Sequence, residues 1–516
     1  MNNDRGTWKS KITFVLAAAG SAVGLGNLWR FSYEAGNNGG GLFVIIYLLA
    51  ILLIGLPVLL AELSMGRFSQ QDVVGAFQTI RPKTPFVGIG YLGLISAVMI
   101  LAFYSVIAGQ TVGYVVKSIT GDIGRLGDAS VTEGPLREIR QIYADMKSDP
   151  ERRQHSALQI EDFFDRYQLD ADPEGEELLQ EAKGGDADQD PADREVLIKK
   201  IEMKLLVARS SGVFERFEKN KYLQIILLLF FLFITVFIVS RGISGGIEKF
   251  TRVFMPVLLI ILVIMILRAL TLPNAFSGVG FYLAPKLDQL TPKLVVSAIG
   301  QAFFSLSLGM GTMITYGSYV NKRERLPNSA GLIAGFDTGI AILAGFIVFP
   351  VIFYLGMNPD QGAGGIFVVL PILFAKIPLG QFFAVMFFVL LGIAALTSTV
   401  SLLEVPVAFL VDQKGWKRRK AAYLIGGLTL LFGVPCALFS FFFSLWNTVW
   451  GGFALTIGGL FISIFVGWVW KPEAALREIR QGSERFRLGA VWRFLIRYII
   501  PIFLIVILAS SIIELI

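Results

Sequence analysis

Gly20-Ser21-Ala22-Val23-Gly24-Leu25-Gly26-Asn27 lies in the middle of the first long apolar segment of the chain. A second stretch of the same character, Ser305-Leu306-Ser307-Leu308-Gly309-Met310-Gly311-Thr312, interrupts another apolar segment further along. In both stretches, small and flexible residues occupy positions where a spanning helix usually has bulky ones. Backbone without helical partners is costly in hydrocarbon unless it is buried in protein or lines a cavity. Each stretch therefore predicts a helix that breaks in the middle of a membrane.

The composition indicates a protein that resides in a lipid bilayer. Of the 516 residues, 54% are hydrophobic and 43 are phenylalanine, and the mean hydropathy is +0.65. Apolar runs of about 20 residues, the length that crosses a bilayer, recur along the chain and predict an all-α polytopic membrane protein. The eleven predicted spans lie near residues 12–34, 41–66, 87–118, 222–240, 246–270, 296–320, 328–356, 380–411, 421–442, 446–470 and 490–514.

The two interrupted stretches fall in the first and the sixth predicted spans, five spans apart. Interrupted segments at corresponding positions of two halves indicate an inverted repeat with a binding site at the midplane. Freed amide groups at a half-helix N-terminus favour a carboxylate, and unwound carbonyls favour a cation. Close packing through glycine is the alternative interpretation of either stretch alone. The polar residues Asn27, Ser305 and Ser307 nevertheless favour a binding site.

Basic residues in short loops predict the orientation, because such loops stay on the cytoplasmic side. Lysine and arginine concentrate before the first span and after the second, fourth, sixth, eighth and tenth spans. The N-terminus is therefore predicted to be cytoplasmic, and the C-terminus, after eleven spans, extracytoplasmic. Loops that face anionic lipid account for the net charge of +7, and nothing in the sequence indicates a nucleic-acid partner.

Residues 121–220 form a charged insert between the third and fourth spans. They hold 24 of the 39 acidic residues and 15 of the 46 basic ones, so the insert carries −9 and the rest of the chain +16. Helical spacing occurs in Glu133 to Lys147, Leu158 to Tyr167 and Arg194 to Phe217, with a Gly- and Asp-rich link at 184–191. We expect an extracytoplasmic segment that is either a small helical cap or mostly disordered. A passive, solvated loop is favoured over a partner-binding or gating cap.

The predicted organisation is one integral domain in five parts. Helices 1 to 3 of the first repeat occupy residues 1–118, and the insert with its flanks occupies 119–221. Helices 4 and 5 follow at 222–270, and the second repeat, helices 6 to 10, covers 271–470. A cytoplasmic loop and the eleventh helix complete the chain at 471–516.

The residue inventory excludes several kinds of chemistry. A single histidine, His155, and a single cysteine, Cys436, cannot supply an ordinary zinc site, a disulfide or a cysteine–histidine pair. The Gly-x-x-x-x-Gly-Lys-Ser/Thr phosphate loop is absent from the sequence, which argues against ATP-driven transport by this chain. Nothing resembles a nucleophile with an adjacent base, so we do not expect an enzyme.

The first two spans also carry a specific pattern of residues. It consists of Trp8, Gly20, Ala22 to Asn27, Trp29-Arg30-Phe31, Asn38 to Gly41 and Pro57 to Arg67. This pattern resembles the signature of the neurotransmitter:sodium symporter family, and the resemblance covers nearly everything except residues 121–220. It implies the leucine-transporter fold: an inverted 5+5 helix repeat with broken first and sixth helices plus an eleventh helix. It also implies a prokaryotic member in the inner membrane of a bacterial or archaeal cell.

The resemblance implies two sodium sites. The first matches the Ala22 carbonyl, the Asn27 side chain, Ser305 and Asp337. The second matches the carbonyls of Gly20, Val23 and Ala394 and the hydroxyls of Thr397 and Ser398. Oxygen ligands suit a hard cation. By itself, a Ser/Thr cluster more often satisfies carbonyls of its own helix.

Asp337 departs from the pattern of chloride-dependent relatives, which have asparagine here and serine one turn later, where this chain has Ala341. A carboxylate inside a bilayer is costly and is expected to pair with a positive charge. The sodium ion is the nearby candidate, so we predict that chloride is not required. A carboxylate that only lies in a water-filled cavity is the less favoured interpretation, and proton exchange through Asp337 is a variant.

The implied substrate site holds a carboxylate against the amides of Leu25 and Gly26 and the hydroxyl of Tyr104. Gly24 stands where amine carriers of the family have aspartate, which favours an amino acid over a biogenic amine. Since the surrounding pocket is mostly apolar, a small hydrophobic amino acid is expected, and the flexible Met310 could accept more than one side chain. The further residues implied around the substrate are Ala22, Ile100, Phe304, Ser305, Ser307, Met310, Ser401 and Leu402.

The resemblance also implies a gate on each side of the substrate. On the outer side, Tyr104 and Phe304 close over it, with Arg30 above them. The family often pairs this arginine with an aspartate of the tenth helix, but the matching position here is Asn447. The implied cytoplasmic latch consists of Arg5, Trp8, Tyr319 and Asp412. An Arg5 that only interacts with anionic lipid is the alternative.

Taken together, the sequence predicts a sodium-coupled symporter that imports a small amino acid by alternating access and is surrounded by membrane lipid. The two implied cation sites give the expectation of two bound sodium ions. A sodium-coupled amine or osmolyte carrier is the alternative within the class. A channel would need a continuous polar lining through several spans, and a non-transporting sensor would need a signalling domain; the sequence contains neither. The oligomeric state is not predicted.

Overall fold

The computed structural model describes residues 6–127, 129–145, 150–183, 191–359, 365–482 and 486–513, and these residues are largely helical. Nine of the described helices are long and apolar enough to cross a membrane: Gly41–Ser69, Val87–Ile119, Lys221–Ser240, Ile243–Leu270, Leu326–Leu355, Gly380–Lys414, Arg418–Leu438, Ser440–Val469 and Gly489–Ile513. In chain order the helices are α1 (Lys11–Ala22), α2 (Gly26–Asn37), α3 (Gly41–Ser69), α4 (Val73–Ile80), α5 (Val87–Ile119), α6 (Ala129–Asp145), α7 (Pro150–Tyr167), α8 (Pro173–Lys183), α9 (Pro191–Lys219), α10 (Lys221–Ser240), α11 (Ile243–Leu270), α12 (Ala275–Leu283), α13 (Pro292–Ser305), α14 (Thr312–Ser318), α15 (Leu326–Leu355), α16 (Gly365–Lys376), α17 (Gly380–Lys414), α18 (Arg418–Leu438), α19 (Ser440–Val469), α20 (Pro472–Arg480) and α21 (Gly489–Ile513).

Two further spans are broken. The axes of α1 and α2 are bent by 56° at their junction, where Val23 adopts an extended conformation. Residues 306–311 separate α13 from α14, and their backbone is left-handed at Ser307, Gly309 and Gly311. Among the described residues, the nine continuous helices and the bent pair of α1 and α2 give up to ten candidate spans, and α13 with α14 occupies the place of the sixth predicted span. The first and the sixth are the broken spans, as predicted.

Capping residues explain where the broken spans begin. Ser10 and Thr13 form a reciprocal capping box at the start of α1. Thr291 accepts a hydrogen bond from the Leu294 amide at the start of α13, and Pro292 occupies the first turn, where its missing N–H costs nothing. These local signals fix the N-terminal ends of α1 and α13, and the breaks lie at the C-terminal ends of both helices.

One predicted helix boundary is wrong. The ninth and tenth spans were expected to meet between residues 442 and 446, whereas α18 ends at Leu438 and α19 begins at Ser440. Phe439 is extended, with φ −139° and ψ 117°. The run from Phe439 to Trp446 has two serines but no glycine or proline, and the chain stays apolar on both sides, so hydrophobicity gave no signal for the position of the break.

Contacts divide the chain into two compact units, and the first comprises residues 1–113, 221–350 and 388–516. Its described residues contain most of the spanning helices. Within it, α11 and α21 leave large apolar side chains such as Ile260, Leu267 and Ile505 more than half exposed. Apolar surface on this scale is stable only in lipid or against another protein. Together with the number of spans, it identifies a multi-pass membrane protein.

The second unit comprises residues 114–220 and 351–387. In it, α6 to α9 pack around a core whose fully buried side chains include Ile139, Ile160, Phe163 and Phe164. The described residues of the insert therefore form a helical cap, and a mostly disordered insert is excluded for them. Helix α8 was not predicted from the sequence, because its apolar face is short and most of the residues around that face are charged.

An ion pair links two helices of this cap. Lys204 Nζ lies 2.6 Å from Asp172 Oδ1, just before α8. Burial raises the pKa of the Asp172 carboxyl, but hydrogen bonds from Lys204 and the Gly175 amide outweigh it and hold the pKa below its usual value. A lowered carboxyl pKa stabilises the fold above the pKa of the unfolded chain, about 3.9, and this contribution is lost as the pH falls further.

We expect Phe163→Ala to loosen the cap, since removal of a buried phenyl ring typically costs about 3–5 kcal/mol. Limited proteolysis of the full-length protein should then cut the insert at a much higher rate. Leu158→Ala, a change on the exposed side of the same helix, is the matched control and should leave the rate near that of the unmodified protein. Equal cleavage of the two variants would contradict a packed cap.

Candidate functional site

The two breaks contact each other in the middle of the first unit. The Ser307 hydroxyl donates to the Ser21 carbonyl at 3.1 Å, and the Gln301 side-chain amide donates to the Gly26 carbonyl at 2.9 Å. The Ser21 carbonyl is one that a continuous first helix would have used internally, whereas the Gly26 carbonyl also accepts from the Phe31 amide within α2. The second broken helix thus satisfies part of the backbone that the first one frees.

A cluster of polar side chains lies where the breaks meet α15. The Asn27 amide nitrogen lies 2.6 Å from Asp337 Oδ1 and 2.9 Å from Ser305 Oγ. The Ser305 hydroxyl is also 2.7 Å from Asp337 Oδ2. All three side chains are buried. Three of the four predicted members of the first cation site are therefore brought together, from three separate helices.

The donor set of this cluster fits a hard cation. Asp337 offers a carboxylate, Ser305 a hydroxyl and Asn27 an amide, and oxygen is the ligand that such ions prefer. In the present arrangement the Asn27 amide nitrogen faces Asp337, and a half-turn of the amide presents its oxygen to the same place. The Ala22 carbonyl belongs to a residue that lines the adjoining cavity. Among the described residues, no lysine, arginine or histidine forms an ion pair with Asp337.

The members of the second predicted cation site also converge. The Thr397 hydroxyl lies 3.2 Å from the Val23 carbonyl and 2.8 Å from the Ala394 carbonyl. Ser398 Oγ lies 3.4 Å from the Val23 carbonyl. Gly20 lies against α17, since a Cβ placed on it would be in van der Waals contact with Thr397 Cβ at 3.5 Å. The Ser/Thr cluster therefore faces the first break as well as its own helix.

A small cavity of about 30 Å³ adjoins the first cluster. It contains ten of the twelve residues predicted around the substrate; Leu25 and Ser401 do not line it. The Leu25 amide instead donates to the Tyr104 hydroxyl at 2.9 Å. The cavity is lined by Ser21, Ala22, Gly24, Gly26, Ile100, Tyr104, Phe304, Ser305, Ser307, Met310, Ser398 and Leu402.

Ser21 is a wall residue that sequence reasoning missed. Its hydroxyl donates to Ser401 Oγ at 2.7 Å, and the Ser401 hydroxyl donates to the Ser398 carbonyl at 2.8 Å. Ser401 therefore lies behind Ser21 and fixes its orientation. The signal in the sequence was the position of Ser21 inside the first break, directly before Ala22.

On one side of the cavity, the structure places the predicted gate residues Phe304 and Arg30 in contact. The Arg30 guanidinium lies 4.7 Å from the centre of the Phe304 ring. Its ion pair is with Glu34, one turn further along α2, at 3.6 Å. The Asn447 amide oxygen lies beside Gly451 on its own helix. Glu34 as the partner of Arg30 was not predicted.

On the other side, Trp8 packs against two tyrosines of the α14 end. Its indole N–H donates to the Tyr316 carbonyl at 3.1 Å, and its ring meets that of Tyr319 edge-on at 6.3 Å. Asp412 accepts a hydrogen bond from the Asp72 amide at 2.8 Å. Arg5, the remaining predicted member of this latch, lies outside the described residues.

Two buried charges near the latch were missed by sequence reasoning. Glu404 accepts a hydrogen bond from the Tyr319 hydroxyl at 2.7 Å and forms an ion pair with Arg418. Glu404 is fully buried and Arg418 nearly so. A glutamate within a predicted span was the available signal, because an intramembrane carboxylate needs a partner.

A third buried carboxylate supports the second break directly. Glu62 of α3 accepts a hydrogen bond from the Gly309 amide at 2.8 Å. Gly309 has φ +82°, and a Cβ there would lie 2.2 Å from the Leu455 carbonyl oxygen. Only glycine fits this position, so α19 can approach the break closely. Glu62 was part of the quoted sequence pattern, but its partner was not predicted.

Two broken spans that meet a polar cluster beside a small cavity define a membrane transporter of the inverted-repeat type. The chain belongs to the Sodium:neurotransmitter symporter family, whose sequence pattern matches residues 5–178 and 207–516. Its fold is the predicted leucine-transporter fold, and the protein is a sodium-dependent transporter, not an enzyme.

Three comparisons support this assignment. The chain is 31% identical to the sodium-dependent transporter YhdH of Bacillus subtilis (strain 168), over 98% of this chain and 97% of that protein. It is 26% identical to sodium-dependent nutrient amino acid transporter 1 of Drosophila melanogaster, over 98% of this chain and 77% of the relative. The crystal structure of MhsT in complex with L-phenylalanine matches with a TM-score of 0.76 at 36% identity, over 98% of this chain and 100% of that one.

We predict that Glu404→Gln destabilises the protein, because the buried Arg418 then lacks its counter-charge. Loss of one partner of a buried pair costs about 3–5 kcal/mol, so the midpoint of thermal unfolding in detergent should fall by several degrees. Glu404→Gln combined with Arg418→Met should recover part of the loss. Arg419→Met, at the exposed neighbouring position, is the control and should leave the midpoint unchanged; an unchanged midpoint in Glu404→Gln would argue against the pair.

Proposed function

We propose that this transporter imports an amino acid together with sodium across the cell membrane of a bacterium or archaeon, by alternating access and without a requirement for chloride. The observation that carries the proposal is the meeting of Asn27, Ser305 and Asp337 between the two breaks, beside a small cavity. A cation held there lies next to freed backbone amides, which favour a carboxylate. The two opposite charges then neutralise each other inside the membrane.

Two sodium ions fit the proposal. The Ala22 carbonyl, Asn27, Ser305 and Asp337 would hold the first, which also contacts the substrate carboxylate. The carbonyls of Gly20, Val23 and Ala394 with the hydroxyls of Thr397 and Ser398 would hold the second. The hydroxyls of Thr397 and Ser398 already lie within 3.2 to 3.4 Å of the Val23 carbonyl, which supports this set.

An amino acid fits better than an amine as the substrate. The amides of Leu25 and Gly26 and the Tyr104 hydroxyl surround the place proposed for its carboxylate. A Cβ on Gly24 would lie 2.5 Å from Ser398 Oγ and 2.7 Å from the Tyr104 hydroxyl. There is thus no room here for the aspartate that amine carriers of the family have. Sodium-dependent transport of amino acids by a Drosophila relative and the L-phenylalanine bound to MhsT agree with this choice.

The side chain of the substrate would lie among apolar residues. Ile100, Phe304, Met310 and Leu402 line the cavity opposite the polar cluster. Burial of apolar surface against them stabilises a hydrophobic side chain by about 25 cal/mol per Å². A small hydrophobic amino acid is therefore the proposed class, and the flexible Met310 side chain can adjust to more than one member of it.

The proposed orientation places the N-terminus in the cytoplasm and the C-terminus outside, in line with the basic loops. Phe304, Tyr104 and Arg30 then close the cavity on the outer side. Trp8 and Tyr319 pack together on the cytoplasmic side, where Arg5 and Asp412 would complete the latch. Opening of one side at a time gives alternating access.

Sodium and substrate share a ligand shell in this proposal, so each raises the affinity of the other by the same factor. With the cell interior negative, each sodium ion that moves inward contributes about 2.3 kcal/mol per 100 mV. Two ions would therefore drive strong accumulation of the amino acid.

Uptake of labelled amino acids into proteoliposomes tests the proposal. We expect accumulation with an inward sodium gradient and none when potassium replaces sodium. Asn27→Ala should abolish it, because the variant loses a cation ligand and the bond to Asp337. Asn328→Ala, at an exposed position of α15, is the matched control and should transport normally.

Other outcomes of this assay point elsewhere. Sodium-dependent binding of an amino acid without accumulation would favour a sensor over a symporter. If no amino acid in the set binds, an amine or osmolyte carrier replaces the amino-acid symporter as the proposed function.

We predict that replacing chloride with gluconate leaves uptake by the unmodified protein unchanged. Asp337→Asn should lower sodium affinity by about tenfold or more, because the charge of the ligands sets the affinity of a site for hard cations. The sodium concentration that gives half-maximal uptake measures the effect in both cases. Loss of uptake in gluconate would contradict the role proposed for Asp337.

A further inference from the structure

Arg30 of α2 makes two contacts that belong to different helices. Its guanidinium lies 4.7 Å from the centre of the Phe304 ring on α13, a distance typical of cation–π contacts. Its Nε atom lies 3.6 Å from Glu34 Oε1, one turn further along α2. The Arg30 side chain is 38% exposed and that of Glu34 18%. An ion pair with this much exposure is weak by itself, so its geometry must be fixed by something else.

The second oxygen of Glu34 supplies that constraint. The Ser297 hydroxyl donates to Glu34 Oε2 at 2.5 Å, and hydrogen bonds to a charged acceptor are among the stronger ones. The Asn38 amide lies 3.5 Å from the same oxygen and donates to the Glu34 carbonyl at 2.8 Å. Glu34 is therefore held from α13 and from its own helix, with its other oxygen aimed at Arg30.

The contacts between the two half-helices form an ordered set. Ser297 and Phe304 are seven residues apart on α13, which places them on one face two turns apart. Arg30 and Glu34 are one turn apart on α2. Glu34 meets Ser297 and Arg30 meets Phe304, so the two half-helices run in opposite directions along this contact.

The Phe304 ring reaches the cavity from this contact. It lines the cavity together with Ile100 and Tyr104. A Cβ on Gly26 would lie 2.7 Å from Phe304 Cε1, so the ring rests directly on the backbone of the first break. The position of Arg30 over the ring thus influences whether the cavity is covered.

We propose that Glu34 is a positioning residue: it is the counter-ion that holds Arg30 over Phe304 and so keeps the ring closed over the cavity. Since Asn447 carries no charge, the chain provides the counter-charge from the same half-helix as the arginine. The pair can then move with α2 when the cavity opens, and no ion pair across the vestibule has to break. That the cavity holds the substrate rests on the proposed function, but the role of Glu34 in positioning the Phe304 ring does not.

Accessibility of a single cysteine below the ring tests the proposal without a substrate. Cys436 is the only cysteine of the chain, so Cys436→Ser gives a background free of thiols. Ile100→Cys then places one thiol in the wall of the cavity. The rate of its reaction with methyl methanethiosulfonate, a neutral reagent, is measured on the full-length protein in detergent.

We expect Glu34→Gln and Arg30→Ala each to raise the reaction rate by about threefold to tenfold, the range of a lost cation–π contact or hydrogen bond. The double variant should react no faster than the faster single one, because both changes remove the same contact. Asp288→Asn, an exposed acidic residue in the segment before α13, is the matched control and should leave the rate unchanged.

Two outcomes would overturn the proposal. One is an unchanged rate in Glu34→Gln. The other is a combined result: the reaction rate of the double variant rises by the product of the two single increases, and Ser297→Ala raises the rate as much as Glu34→Gln does. In that case Glu34 would only link the two half-helices and would not act through Arg30. If uptake assays reveal no amino-acid transport, the proposed function fails while the labelling result for Glu34 stands.

Discussion

Unpaired backbone at membrane depth is the constraint on which the rest of this structure depends. No water is available there, so every amide and carbonyl freed by the two breaks needs a partner from the protein. Asn27 accepts from the Gly24 amide, Tyr104 from the Leu25 amide and Glu62 from the Gly309 amide. These partners come from three different parts of the chain. The need to satisfy the breaks therefore draws polar side chains to one place, and that place is the proposed binding site.

The buried carboxylates divide into two kinds by their partners. Glu404 is paired with Arg418, and Glu478 with Arg67, whose Nε lies 2.7 Å from it. Each of these links two elements with matched charges, which favours a rigid arrangement. Asp337 has neutral donors in the described structure, and Glu62 has the Gly309 amide. Asp337 and Glu62 both lie at the breaks, where an arriving cation would change the balance of charge most.

Sequence reasoning succeeded where a property is local. The spans follow from runs of apolar residues, and the breaks follow from glycine and serine in the middle of such runs. The cation-site residues followed from the resemblance of the pattern to a known family, and the structure brings Asn27, Ser305 and Asp337 together. The boundary at Phe439 was missed because the run that follows it is largely apolar and contains no glycine or proline. The short helix α8 was missed because its buried face is only a few residues long. The spacing of Arg30 and Glu34, one helical turn apart, was a signal in the sequence for their ion pair, but the resemblance directed attention to the tenth helix.

The sequence by itself determined that this protein spans the membrane about eleven times and that its first and sixth spans break, because hydrophobicity and backbone freedom are properties of individual residues. It also limited the chemistry to oxygen ligands and backbone dipoles, since histidine and cysteine occur once each. Only the tertiary structure decided which groups meet. Asn27 and Asp337 are 310 residues apart, and Glu34 meets Ser297, which is 263 residues away. Such pairings depend on how helices pack and how far side chains reach, and no local pattern contains that information.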